Sequence, residues 1–122
     1  SHANGLGGTP AWAQLTVSGG PSPRTGHSAI YDAQNSRIVI YGGLSAGSVF
    51  SDVWILSNAN GVAGSPGWTQ LTPASPGPPR YDHSAVYDPA TNQMIIFGGV
   101  ITSSPLSPDA NVFSLTGANG LQ

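Results

Sequence analysis

PRTGHSAIYDAQNSRIVIYGG, residues 23–43, returns as PRYDHSAVYDPATNQMIIFGG, residues 79–99. The match extends outward from this stretch. Residues 3–44 align on residues 59–100 without a gap, and 19 of the 42 pairs are identical. Trp12, Leu15, Arg24, His27, Tyr31, Asp32 and Gly42 recur at an offset of 56 as Trp68, Leu71, Arg80, His83, Tyr87, Asp88 and Gly98. The offset then becomes 59, because Asp52-Val53-Trp54 matches Asn111-Val112-Phe113. One loop of the second copy therefore carries three extra residues. A third Ala-Asn-Gly begins at residue 118. The units read as 3–58 and 59–117, with 118–122 opening another and Ser1-His2 reading as a cloning remnant.

Within the stretch, residues 27–32 alternate, with Ser28, Ile30 and Asp32 on one face and His27, Ala29 and Tyr31 on the other. Ala33-Gln34-Asn35-Ser36 and Pro89-Ala90-Thr91-Asn92 read as tight turns. RIVIY and QMIIF follow, apolar on both faces, and such a strand needs a sheet covered front and back. The Gly-Gly pairs at 42–43 and 98–99 allow a sharp turn and close approach of neighbouring backbone. Loops at 44–51 and 100–110 then lead to DVWIL and NVFSL, and Trp68-Thr69-Gln70-Leu71 closes a set of four short strands. Trp12-Ala13-Gln14-Leu15 reads as the same last strand, placed ahead of the first unit.

Composition narrows the function. The 122 residues include 17 Gly and 11 Pro, and only 7% are charged, as in strands joined by turns. A net charge of −2 with three Lys+Arg cannot supply a row of phosphate contacts, so nucleic acid is not expected as a partner. No apolar run approaches the ~20 residues of a membrane helix, and no signal-peptide core is seen. Zero Cys excludes disulfides and thiolate metal sites. Few charges with many Ser, Thr, Asn and Gly suit a secreted bacterial protein.

HSAIYD, RIVIYGG, DVWIL and WTQL, in that order, resemble the strands of a kelch repeat. The period of 56 lies slightly above the ~50 typical of kelch. The resemblance implies an all-β fold of four-stranded antiparallel propeller blades, two per chain, with HSAIYD innermost and WTQL outermost. In that frame the first blade is complete, the second lacks an outer strand, and Trp12–Leu15 is an outer strand without a blade. The expectation is a head-to-tail homo-oligomer in which Trp12, Ala13, Gln14 and Leu15 of one subunit complete the second blade of the next. Three chains giving six blades come first, ahead of four giving eight or two giving four.

His27, Ser28 and Asp32, with their copies, supply the residue types of a hydrolase triad. Adjacent strand residues point to opposite faces, so His27 cannot serve Ser28 as a base. His27 and His83 are also candidate metal ligands near a channel, weighed against simple hydrogen bonding to backbone. The rim candidates are Arg24 and Arg80, which can hold a carboxylate or brace loop carbonyls, together with Tyr81 and Asp82, which replace Thr25 and Gly26. Trp12, Trp54 and Trp68 recur on strands, which favours packing over sugar stacking. Loops 44–51 and 100–110 differ in length and are the better ligand-binding segments.

Three readings follow. The kelch resemblance allows a rim that binds a glycan or peptide. It also allows a carbohydrate-active enzyme, although the galactose oxidase cofactor needs a Cys joined to a Tyr and this chain has no Cys. The favoured reading is a non-enzymatic two-blade unit, excised or engineered, that self-assembles without metal or cofactor.

Overall fold

Alternation followed by an apolar run gives a β-hairpin at the expected place. The computed structural model describes residues 9–62, 64–103 and 105–121. Strand β1 (Ser28–Asp32) pairs antiparallel with β2 (Arg37–Tyr41). The turn between them puts Ser36 at φ 52°, and Asn92 in the second copy lies at φ 51°. Left-handed backbone is unfavourable for a residue with a Cβ, and an Asp at the start of each turn offsets that cost. Asp32 accepts the Gln34 N–H at 3.1 Å and the Asn35 Nδ2–H at 2.7 Å. Asp88 accepts from the Ala90 N–H at 2.9 Å and from the Thr91 hydroxyl at 2.6 Å.

The chain continues through β3 (Leu44–Ser45), β4 (Ser48–Val49), β5 (Val53–Ser57) and β6 (Gly67–Leu71). Strands β1, β2, β5 and β6 form one antiparallel sheet in that order, from HSAIYD to WTQL, as the repeat resemblance implies. The second copy gives β7 (Ser84–Asp88), β8 (Gln93–Phe97), β9 (Val100–Ser103), β10 (Leu106–Pro108) and β11 (Val112–Thr116). Its sheet has three strands, in the order β7, β8, β11. Two segments differ from the sequence expectation. The loops at 44–51 and 100–110 fold into small hairpins, β3–β4 and β9–β10. Residues 12–15, read as a strand, join no sheet: Leu15 lies against Gly61, and Trp12 is fully exposed. Of the segment 3–10, whose composition reads as a flexible turn, residues 3–8 lie outside the described residues, as do Ser1 and His2.

The two sheets stack face to face. Ile30, Val39, Tyr41, Val53 and Ile55 of the first bury against Met94 and Ile96 of the second, with Phe113 and Leu115 at the margin. Side chains of this size each gain roughly 1.5–3 kcal/mol from full burial. RIVIY is covered on one face only: Val39 and Tyr41 are buried in the seam, whereas Ile38 and Ile40 on the other face are half-buried. The cover expected on both faces is thus half supplied by the chain itself.

Candidate interaction surface

The seam between the sheets shows what one blade of this sequence needs from its neighbour. At one end, the Gly43 N–H donates to the Arg80 carbonyl at 2.8 Å and the Arg80 N–H to the Phe50 carbonyl at 3.0 Å. The Asp82 N–H donates to the Gly26 carbonyl at 2.7 Å. Midway, the Tyr41 hydroxyl donates to the Pro78 carbonyl at 2.6 Å, and Ser28 Oγ lies 2.6 Å from His83 Nε2. At the other end, the Asn119 side-chain amide donates to Asp32 at 2.8 Å while Arg37 donates to the Asn119 carbonyl at 2.6 Å. Ala118 and Asn119, the start of the third Ala-Asn-Gly, are buried in this seam.

The arginines brace their blades. Arg24 holds both oxygens of Asp52, at 2.5 and 3.0 Å, donates to the Gly42 carbonyl at 3.0 Å, and lies over the Phe50 ring. Arg80 is wholly buried, donating to the Gly98 carbonyl at 2.5 Å and to Asp109 at 2.7 Å, with its guanidinium over Phe113. Burial works to raise the Asp52 pKa, but hydrogen bonds from Arg24 and the Trp54 indole outweigh it and hold the carboxyl below its usual range. For Asp109 the Arg80 hydrogen bond is itself the largest cause of the same lowering. Of the rim candidates, Arg24 and Arg80 are thus committed to carboxylates of their own chain, and Tyr81 is buried. Asp82 alone of the four is exposed, at φ 55°.

Sequence reading missed Asp109. Strand register matches Asp52 to Asn111, yet the acid that meets Arg80 lies two residues earlier in the longer loop. Asp109 also accepts from the Asn111 side-chain amide at 2.5 Å, so the Asp-x-Asn spacing was the available signal.

The histidines separate. His27 is exposed, whereas His83 is buried between the blades, edge-on to Tyr41. The expected backbone partner of His83 is replaced by the Ser28 hydroxyl, because stacking the copies brings the inner strand of one blade against the residue preceding that of the next. Burial, with the Arg80 charge nearby, pushes the His83 pKa down to about 4, so the ring is neutral at pH 7. This Ser–His contact is not a triad. His83 Nδ1 is buried without a hydrogen-bond partner. Asp32, at the far end of a five-residue strand, is roughly 13 Å away by strand rise.

The second blade turns towards solvent the face that the first blade buries. Ile30, Tyr41 and Val53 are 7%, 4% and 2% exposed, but their counterparts Val86, Phe97 and Val112 are 61%, 50% and 64% exposed. A soluble surface seldom gathers such side chains on one sheet face without a partner. Beside them, the outer edge of β11 carries no strand among the described residues. The first blade, in turn, leaves Tyr31 exposed and Ile38 and Ile40 half-covered on its far face.

Comparison with known proteins finds kelch repeats over most of the chain. The family model of the KLHDC2/KLHL20/DRC7 Kelch-repeats domain matches residues 8–118. Kelch repeat-containing protein 2 of Saccharomyces cerevisiae is 33% identical over 90 residues, covering 72% of this chain and 10% of that protein. Adagio-like protein 3 of Oryza sativa subsp. japonica is 34% identical over 97 residues, covering 75% of this chain and 15% of that protein. Putative adagio-like protein 2 of the same plant is 28% identical over 107 residues, covering 88% and 16% respectively. The chain thus spans a small part of the length of each. It is an all-β chain of stacked antiparallel propeller blades, and it belongs to the kelch-repeat family.

Proposed function

We propose that this chain is a non-enzymatic protein-interaction module whose partner is a second copy of itself, joined head to tail into a closed ring. The observation that carries this reading is the exposed face of Val86, Phe97 and Val112, whose repeat counterparts are buried by a blade of this same sequence. A surface of that shape is matched by the far face of the first blade, Tyr31, Ile38 and Ile40, in another copy. Trp12 to Leu15 of that copy, exposed and outside any sheet, then lie as an added strand along β11. Kelch rings have few blades, and a pair per chain gives an even number; three chains with six blades fit best.

Light scattering on the purified protein tests this. The expected mass at micromolar concentration is about three times the 12.4 kDa of the chain. A mass of one chain across that range would reject the assembly.

A second reading rests on the hairpins beyond the Gly-Gly pairs. Leu106 at the start of β10 is 70% exposed on a segment that differs between the copies, which suits a glycan or peptide ligand at the rim. An array of glycans and peptides probed with the assembled protein separates binding at this rim from assembly alone.

A further inference from the structure

Between the blades, on the outer side of the seam, lies an apolar cavity of about 310 Å³. Tyr41 and Val53 line it from the first blade, Met94, Ile96, Phe113 and Leu115 from the second, and the 73–78 loop closes one side. None of the described residues fills it, although it is continuous with the buried core.

The first blade supplies the comparison. There β6 pairs with β5 in the register Val53↔Leu71 and Leu56↔Trp68. The Trp68 indole lies directly on the backbone of Gly20, in the loop that leads into β1. Transferred by the repeat, Leu15 falls opposite Val112 and Trp12 opposite Leu115. Phe113 and Leu115 pack towards the first blade, so a Trp at that position points into the cavity. Gly20 corresponds to Pro76 in the cavity's loop. Proline carries ring atoms where Gly20 has none, so the indole cannot take the pose of Trp68. The cavity lies between this loop and Phe113 and Leu115. The chain's own Trp12 is on the wrong side: Leu15 sits beside Gly61 and Gly20 lies under Trp68, which faces away from the second blade.

We infer that this cavity is an indole-binding site whose occupant is Trp12 of a second copy. The inference rests on the head-to-tail reading and adds to it the residue that anchors the strand. An aromatic side chain that is fully exposed in the single chain and enclosed after association is the usual anchor of such a contact.

Two measurements test it. In the chain carrying Trp54→Phe and Trp68→Phe, Trp12 is the only indole, and acrylamide quenching is read beside the scattering mass. Assembled protein with Trp12 shielded supports the site. Assembled protein whose Trp12 is quenched as freely as a Trp model compound overturns the site and leaves the assembly standing. A mass of one chain for the unsubstituted protein overturns the assembly, and the occupant with it. The second variant, Trp12→Ala, removes a side chain with no role in the fold of the single chain. It should weaken association at least about tenfold, and unchanged association overturns the site.

Discussion

His83 is the residue whose chemistry is most altered by its surroundings. Its burial, with Arg80 nearby and exposed His27 adding a smaller effect, disfavours the imidazolium, while Asp82 works weakly the other way. The unfolded chain takes up its proton near pH 6.5 and the folded chain only near pH 4. The unfolded state therefore binds more protons between these values, and stability falls as pH drops through this window. The melting temperature should decline from about pH 6.5 towards pH 4, before the Asp residues protonate. In His83→Gln that decline should be flattened; an equal slope in the variant would remove His83 as its source. The sequence showed that His27 and His83 are equivalent by repeat, but their environments differ because only His83 has a blade on the Ser28 side. That difference arises from stacking, which a single repeat cannot display. Asp109 was hidden for another reason: the acid moved within an inserted loop while its role beside Arg80 stayed fixed.

At the scale of elements, the strands were legible and the connections were not. HSAIYD, RIVIY, DVWIL and WTQL became β1, β2, β5 and β6 because alternation and β-branched runs fix pairing and face together. The hairpins β3–β4 and β9–β10 form from segments without alternation, tied to the preceding loops by the Thr25↔Leu44 and Tyr81↔Val100 bridges. The Gly-Gly pair proved to be two separate requirements. Gly42, at φ +68°, faces the Arg80 carbonyl of the next blade, so a Cβ there meets backbone that is itself hydrogen-bonded to Gly43. Gly43, at φ +107°, lies against Thr25 and His27 of its own blade. Gly42→Ala should therefore lower stability by more than about 1 kcal/mol, through both the left-handed backbone and the displaced seam. Urea denaturation measures this, and a neutral result would mean that the seam at Arg80 yields without cost.

Across the whole molecule, the same sheet face is buried in the first blade and open in the second. Hydrophobic stabilisation scales with apolar area removed from water, at about 25 cal/mol per Å², and the outer face of blade two is where such area is still available. Val86 and Phe97 contribute to the seam only if another copy covers them, since in the single chain both are mostly exposed. The double variant Val86→Asp with Phe97→Asp should therefore leave the fold of the chain largely unchanged while placing two carboxylates in the proposed contact. Burying an unpaired carboxylate is far costlier than a neutral contact gains, so the variant should sediment and scatter as one chain at concentrations where the unsubstituted protein is assembled. The matching change on the opposite face, Tyr31→Asp, should act in the same direction, because a head-to-tail contact uses two different surfaces. Mixing the two variants gives the sharper outcome. Each keeps one intact surface, so a ring cannot close, but a pair joined through the two unaltered faces can form, with a mass of two chains. A contact that used the same face on both partners would give no such complementation.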